Sequence, residues 1–308
     1  MKKLRNFGVQ LGKAFNLLVK NDPMRLAGAT AFFTTFALPP IILLLIQLLS
    51  LVFNKRTISQ QLLTELGGIV GKEGLQQVMD VLQGFKGLVS NLAIAIGGIF
   101  FLLFVATTLF KVIQSSLNQV WMIRKSGDKK FKMAMIVRLK SALVIFFTGI
   151  LFMITLMLES IKIIFGKYLN DVLPTGAFYL NSAFSTSISV VIVCIWFSIL
   201  FRYFPDGRPT WRVALSGGLL TSLLFNFGSF FLKILLPGSN IGAIYGTSAS
   251  IVLLLLFVFY SSLIFYYGAA FTKVWGAHIN QPIKPLSHAA LYESNNVEEG
   301  RAERIIGS

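Results

Sequence analysis

Six runs of apolar residues, each long enough to cross a lipid bilayer as an α-helix, dominate this sequence. Crossing about 30 Å of hydrocarbon takes roughly 20 residues at about 1.5 Å per residue. Only 13% of the 308 residues are charged, whereas soluble domains carry roughly 25%. We therefore predict an all-α polytopic membrane protein with six transmembrane helices. The predicted spans cover about 27–53, 88–111, 141–165, 181–204, 211–236 and 244–275.

Shorter segments surround these spans. Residues 4–20 place apolar side chains on one face, which predicts an N-terminal amphipathic helix on the membrane surface or against the bundle. The first outer loop, 54–87, is predicted to hold one or two short amphipathic helices. Residues 1–276 are predicted to form a single transmembrane domain. Residues 277–308 are polar and rich in Asn and Glu, and they are predicted to form a disordered tail.

Basic residues are distributed unequally between the two sides of the predicted spans. Three quarters of the 28 lysines and arginines fall on the same side as the N-terminus. Since cytoplasmic loops carry the excess of Lys and Arg, both termini are predicted to be cytoplasmic. The basic residues of the cytoplasmic loops then account for the net charge of +16. They are expected to meet anionic lipid headgroups, and nucleic acid is not required as a partner. The oligomeric state is left open.

The fifth predicted span carries a stripe of small and polar residues. Gly218, Ser222, Asn226, Ser229 and Lys233 follow each other at intervals of three or four residues, which places them on one helical face. Polar groups are costly in contact with hydrocarbon, so this face is expected to meet other helices or a water-filled cavity. Two interpretations stay open: helix packing, or one wall of a substrate path.

Polar residues also gather at the outer ends of neighbouring spans. Together with the outer part of the stripe, they predict a vestibule that is open to the outside. In it Lys233 would suit a phosphate or carboxylate group. The alternative is that Lys233 only extends its ammonium group to the membrane interface from the end of its helix. Near the end of the third span, Glu159 is either an interfacial carboxylate or a proton or cation site. The substrate-path candidates are Ser222, Asn226, Ser229, Lys233, Tyr245, Ser248, Ser185 and Glu159.

Prolines and glycines mark candidate hinges. Pro39 and Pro40 follow each other in the first span and are predicted to kink it. The glycine pair Gly217 and Gly218 begins the stripe on the fifth span. These four residues are the predicted pivots of any motion between an inward-open and an outward-open state.

The sequence offers no pattern for catalysis, and no metal or cofactor is predicted. Asp128 and Asp206 are interpreted as isolated acids in basic loops, and His278 and His288 both follow the last span. Hydrolysis of RNA needs clustered carboxylates with a metal ion, or a histidine pair. The glycine-rich loop of ATP-driven proteins is also missing from the sequence. We therefore expect no enzymatic activity.

Four ordered blocks of the sequence resemble the YihY/BrkB family of bacterial inner-membrane proteins. The blocks are DPMRLAGATAFFTTFALPP (22–40), KVIQSSLNQVW (111–121), FPDGRPTWRVALSGGLLTSLLF (204–225) and YGTSASIVLLLLFVFYSSLIFYYGAAF (245–271). The resemblance implies six spans, both termini inside the cell, and an association with virulence or the envelope in some members. It also implies a link to lipid export in some relatives, beside an old ribonuclease label.

One departure from that family concerns the last span. Family members often carry Gly-Ala-Glu there, whereas this chain has Gly268, Ala269 and Ala270. If the glutamate serves coupling or gating in relatives, this chain lacks that group.

The combined pattern leads to one functional prediction and one alternative. The prediction is an inner-membrane transporter or flippase for a lipid or another amphipathic anionic substrate, with a polar path along the fifth span. A lipid fits the apolar composition because a hydrophilic ion normally needs more ionisable groups inside the membrane. The alternative is a non-transporting scaffold in envelope assembly, in which the stripe would serve packing only.

Overall fold

A computed structural model of the chain describes residues 2–49, 92–125, 177–235 and 249–292, with isolated helical positions at 60, 63, 79, 150, 151 and 154. The helical class is confirmed for this part of the chain. The helices are α1 (Lys2–Val19), α2 (Pro23–Leu49), α3 (Leu92–Trp121), α4 (Ala177–Tyr203), α5 (Trp211–Leu235) and α6 (Ala249–His278). The strands are β1 (Ile123–Lys125), β2 (Gly207–Arg208), β3 (Lys284–Pro285) and β4 (Ala289–Leu291). Apart from the isolated positions, the predicted third span and the first outer loop lie outside the described residues.

Local signals in the sequence set the helix ends. Pro23 begins α2, where its fixed φ suits the first helical turn and its missing N–H is not needed. Thr210 precedes α5, and its carbonyl accepts the first helical hydrogen bond, from Ala214 N at 2.9 Å. After α3 and α6, Met122 (φ 56°) and Asn280 (φ 57°) adopt the left-handed conformation that ends many helices.

Helix α6 is the centre of the described bundle. It packs against α1, α2, α3 and α5, while α4 lies alongside α5. Aromatic rings join α4 to α6: Phe201 stacks on Phe265 with 5.3 Å between centroids, and Phe197 packs against the same ring. Such ring pairs add about 0.5–1.5 kcal/mol beyond the burial of their apolar area.

Two of the described helices contain a stretch that is long and apolar enough to cross a bilayer: Thr186–Tyr203 in α4 and Val252–His278 in α6. They coincide with the fourth and sixth predicted spans. Helix α3 continues about ten residues beyond the predicted end of the second span, to Trp121. Hydropathy marks where the membrane should end, and the polar residues that follow still form helix.

Residues 279–292, after α6, include two short strands, whereas the sequence predicts disorder from residue 277 onward. Strand β4 pairs antiparallel with β1, and β3 pairs with β2. Tyr292 N also donates to Met122 O at 3.0 Å. Ile283 is buried, although the surrounding sequence is polar. The two tail strands pair with segments that follow α3 and α4. The sequence of the tail alone therefore does not predict these strands.

Candidate functional site

The stripe predicted on the fifth span lies along the contact between α4 and α5. A methyl group added at Gly218 would overlap the Ser198 hydroxyl and approach Cys194 O to 2.7 Å. Ser222, one turn further on, is fully buried and donates to Leu219 O at 2.9 Å. Near the α4–α5 turn, the stripe is therefore a close helix–helix contact of the kind that small residues permit.

Farther from that turn, the same seam becomes polar and partly open. Ser189 of α4 donates its hydroxyl to Asn226 Oδ1 at 3.3 Å, and Asn226 Nδ2 donates to Ser222 O at 2.9 Å. Ser189 and Asn226 are only half-buried, and so is Ser229. Thr186 and Ser187, which precede Ser189 on α4, are exposed. We call Thr186, Ser187, Ser189, Asn226 and Ser229 the polar patch.

The polar patch lies deep along the helices. Asn226 follows Trp211 by 15 residues, which corresponds to about 22 Å of helix at about 1.5 Å per residue. This distance places the polar patch in the far half of a hydrocarbon layer about 30 Å thick, if the α4–α5 turn lies at one surface. Polar side chains at such a depth are normally shielded from lipid.

The remaining predicted path residues fall into two groups. Lys233 follows Asn226 by two turns on α5, and Ser185 precedes Ser189 by one turn on α4. Helical spacing alone relates these two residues to the polar patch, and their part in a path remains a prediction. The other three predicted residues, Glu159, Tyr245 and Ser248, lie outside the described residues.

The predicted hinges occupy two different settings. Helix α2 runs from Pro23 to Leu49 and includes Pro39 and Pro40 within its length. Gly217 and Gly218, by contrast, lie in opposite tight contacts of α5, with α6 and with α4 respectively. Motion at this glycine pair would have to separate both contacts, and their role as a pivot remains a prediction.

A reciprocal glycine–threonine contact joins α5 to α6. A methyl group at Gly217 would overlap the Thr272 hydroxyl, and one at Gly268 would overlap the Thr221 hydroxyl. Each threonine donates to the carbonyl four residues before it at 2.7 Å, so that Thr221 bonds Gly217 O and Thr272 bonds Gly268 O. The sequence signal for this contact is a Gly-x-x-x-Thr pattern in both helices, which sequence reasoning overlooked.

The interpretation of Asp206 as an isolated acid in a basic loop is wrong. Its side chain is buried, and it accepts hydrogen bonds from Gln114 Nε2 at 3.0 Å and Asn118 Nδ2 at 2.7 Å. His288 Nε2 lies 3.2 Å from Asp206 Oδ1. Because a buried carboxylate is costly without such donors, these bonds are what permit its burial. We call Gln114, Asn118, Asp206 and His288 the Asp206 cluster.

The Asp206 cluster joins three separate segments of the chain. Gln114 and Asn118 belong to α3, Asp206 lies in the α4–α5 turn, and His288 belongs to the tail. Leu286 N also donates to Asp206 O at 2.9 Å. Beside it, Gly207 packs so closely under Ile123 and Ile283 that a Cβ atom would overlap the Ile123 side chain. The cluster therefore fixes the α4–α5 turn to the end of α3 and to the tail.

A second reciprocal contact fixes the end of α3 to α6. Trp121 Nε1 donates to Ala269 O at 2.9 Å, and Lys273 Nζ donates to Trp121 O at 2.8 Å. Lys273 therefore satisfies one of the carbonyl groups that a helix leaves free at its C-terminus. Its ammonium also lies at the negative end of the α3 dipole.

Many polar side chains of the described residues form hydrogen bonds that join helices, turns and the tail. Within the described ranges, no group of three or more His, Cys, Asp or Glu residues comes together. What the structure brings together instead is a polar patch at one depth of the α4–α5 seam and a hydrogen-bonded cluster at the α4–α5 turn.

Long apolar helices, small-residue packing and an open polar patch define a helical membrane protein. The chain belongs to the family described as virulence factor BrkB, which matches residues 14–291. This match confirms the family resemblance drawn from the four sequence blocks.

Several curated relatives share this similarity at low identity. A UPF0761 membrane protein of Pseudomonas paraeruginosa is 25% identical over 275 residues, which cover 87% of this chain and 63% of the relative. A UPF0761 membrane protein of Saccharophagus degradans is 24% identical over 276 residues, covering 88% of this chain and 61% of the relative. The chain thus spans less than two thirds of the length of these relatives. No solved structure matches it significantly.

Proposed function

We propose that this protein is a transporter or flippase that moves a lipid or another amphipathic anion across the bacterial inner membrane. The observation that carries the proposal is the open polar patch on α4 and α5. Thr186 and Ser187 are exposed, and Asn226 is only half-buried, at a depth where polar groups are normally shielded from lipid. A headgroup that passes along this seam would meet hydroxyl and amide groups with which it could form hydrogen bonds.

The seam also suits a substrate that keeps its acyl chains in the bilayer. Large apolar side chains of α5 remain exposed along a row beside the polar patch, with Leu219 at 48%, Leu223 at 50% and Phe227 at 70% exposure. Acyl chains would follow this apolar row while the headgroup follows the polar one. We further propose that Lys233, seven residues after Asn226 on α5, supplies the positive charge that an anionic headgroup would meet. Both termini of the chain are proposed to be cytoplasmic.

The test uses purified protein in liposomes that contain a fluorescent phosphatidylglycerol, whose outer-leaflet share is bleached by dithionite. In liposomes with the wild-type protein, inner-leaflet lipid should reach the outer leaflet and be bleached several-fold faster than in protein-free liposomes. The assay is run with and without an imposed pH gradient or membrane potential. Asn226→Leu removes the central amide and should slow movement about 5–10-fold, the equivalent of about 1–1.4 kcal/mol.

A matched pair of serine variants separates path from packing. Ser189→Ala removes a hydroxyl of the polar patch and should slow transport. Ser216→Ala removes a hydroxyl of α5 that donates within its own helix, to Arg212 O at 2.8 Å, and should leave the rate within about twofold of wild type. Equal rates in all variants and in protein-free liposomes would overturn the transport proposal.

The part of the stripe nearest the α4–α5 turn is tightly packed. This packing favours a second candidate function, a membrane scaffold in envelope assembly. Gly218 and Ser222 are packed against α4 without room for a larger side chain at Gly218. A scaffold would show no lipid movement in liposomes. Its Asn226→Leu variant would change only thermal stability.

A further inference from the structure

Helix α1 crosses the bundle at one level instead of running along it. Near its start, the Phe7 ring packs against Phe271 and Trp275 of α6 at 5.7 and 5.9 Å between centroids. Just after its end, Asn21 O accepts a hydrogen bond from Gln119 Nε2 of α3 at 3.4 Å. The α3 end near Gln119 lies beside the same part of α6, because Trp121 bonds Ala269. Both ends of α1 therefore lie at a similar height.

That height is marked by tryptophan. Trp275, which is only half-buried, contacts Phe7 of α1 directly. Tryptophan is enriched where a bilayer meets water. Helix α1 therefore lies in the plane of a membrane interface, with its axis across the spanning helices.

The surface of α1 divides into three sectors. The first sector packs on the bundle through the buried residues Gln10, Ala14 and Leu18, and Tyr267 OH donates to Leu11 O at 3.1 Å. The second sector is apolar but open, with Phe15 at 58% and Val19 at 50% exposure. Gly8 and Gly12 extend this row, and a Cβ at either would contact nothing within 4 Å. The third sector is polar and holds Lys13, Asn16 and Lys20.

The charges around α1 favour an anionic partner. Lys13, Lys20 and Arg25 are exposed, and the residues that the structure describes include no glutamate and only two aspartates. Of these, Asp206 is buried, and Asp22 lies 3.8 Å from Arg25. Lys and Arg side chains near an anionic leaflet are attracted to its headgroups.

We propose that α1 is a lipid-binding interface helix that holds anionic phospholipid headgroups through Lys13, Lys20 and Arg25. Phe15 and Val19 enter the adjacent acyl region, as the apolar face of an interfacial helix does. Since α1 packs on α6 and Asn21, just after its end, bonds Gln119 of α3, the bound leaflet stabilises the contact between α6 and α3. The proposal concerns a permanent lipid contact, and it stands whether or not the protein moves lipids.

The first arm of the test measures depth in lipid nanodiscs. In a Cys194→Ala background, single variants Phe15→Cys and Asn16→Cys carry an environment-sensitive dye. We expect brominated acyl chains to quench the dye at Phe15→Cys several-fold more than at Asn16→Cys, and aqueous iodide to show the opposite preference. Equal quenching at both positions would overturn the interfacial placement, and neither result depends on transport activity.

The second arm tests the charge of the lipid. Nanodiscs of phosphatidylcholine alone are compared with nanodiscs that contain phosphatidylglycerol, and hydrogen exchange of α1 amides is measured. Phosphatidylglycerol should slow exchange in wild type, and it should have little effect in the Lys13→Gln, Lys20→Gln, Arg25→Gln triple variant. Slowing that is equal in both proteins would contradict headgroup binding. A second copy or a protein partner on this face would instead show as protection that rises with protein concentration in either lipid.

Discussion

Asn118 and Asp206 are held together by two hydrogen bonds that run in opposite directions. The Asn118 carboxamide donates to Asp206 Oδ2 at 2.7 Å, and Asp206 N donates back to Asn118 Oδ1 at 2.8 Å. Both side chains are buried, so neither bond competes freely with water. Through this pair, helix α3 fixes the turn in which the chain reverses from α4 to α5.

The first prediction concerns the Asp206 cluster. Asp206→Ala leaves the amide donors of Gln114 and Asn118 buried without this acceptor, and we expect a loss of about 2–4 kcal/mol in stability. The measurement is unfolding in detergent followed by intrinsic fluorescence. Asp22→Asn is the control, because it removes an exposed carboxylate whose contact to Arg25 is long and keeps a side chain that tolerates the left-handed φ of 53° at this residue; its cost should stay below about 1 kcal/mol. Similar costs for the two variants would show that the cluster is not a structural centre.

The second prediction concerns the reciprocal contact of α5 and α6. Gly217→Ala places a methyl group onto the Thr272 hydroxyl, and overpacking of this kind costs about 1–3 kcal/mol. Adding Thr272→Ala removes the hydroxyl and should restore part of the stability. Gly12→Ala is the matched control: nothing lies within 4 Å of the new methyl group, and alanine is the better helix former by about 1 kcal/mol. Thermal unfolding midpoints in detergent report all three. An unchanged midpoint for Gly217→Ala would exclude close packing at this position.

The third prediction concerns the end of α3. Trp121→Phe removes the indole N–H that bonds Ala269 O and leaves a small void, since Trp121 is fully buried. We expect a loss of about 2–3 kcal/mol. Trp211→Phe, at a tryptophan that is 44% exposed beside Arg202, should cost less than about 1 kcal/mol. Chemical unfolding of the two variants in the same detergent gives the comparison. The reverse order would mean that the bond between α3 and α6 contributes little.

The fourth prediction concerns the tail. Ala290 lies opposite Arg124 in the β1–β4 pair, and Ala290→Pro removes a backbone N–H from this ladder. We expect limited proteolysis to cut residues 284–291 faster while the helices stay resistant. Ala290→Ser keeps the N–H at the same exposed position and should behave as wild type. If both variants resist protease equally, the pairing of β4 does not hold the tail.

The sequence predicts helices better than it predicts contacts between distant segments. The fifth span was predicted as 211–236, and α5 is Trp211–Leu235, because proline and threonine before the helix mark its start. The hydrogen-bond partners of Asp206, by contrast, could not be predicted from the sequence. Its donors come from α3 and the tail, 82 to 92 residues away along the chain, and no local pattern in the sequence points to them.

The stripe on the fifth span shows a subtler limit. Helical spacing predicts which residues share a face, and Gly218, Ser222 and Asn226 do share the face that meets α4. Spacing does not predict how closely the neighbour approaches at each level. Gly218 and Ser222 are sealed by α4, whereas Asn226 remains half-buried. This difference in burial depends on the distance between α4 and α5 at each level. The spacing of residues on α5 alone carries no information about that distance.

The pairing of the tail with β1 and β2 has a consequence for biosynthesis. At rates of about 5–20 residues per second, a ribosome makes β1 about 8–32 s before β3, and the α4–α5 turn about 4–15 s before β3. During that interval Ile123 and Gly207 lack Ile283 as a neighbour, and Asp206 lacks His288. The helices before α6 are made first, and this end of the protein stays unfinished until α6 and the segment after it have been made. Premature termination would therefore leave an inserted protein with a recognisably open end, a form that quality-control proteases could distinguish from the finished one.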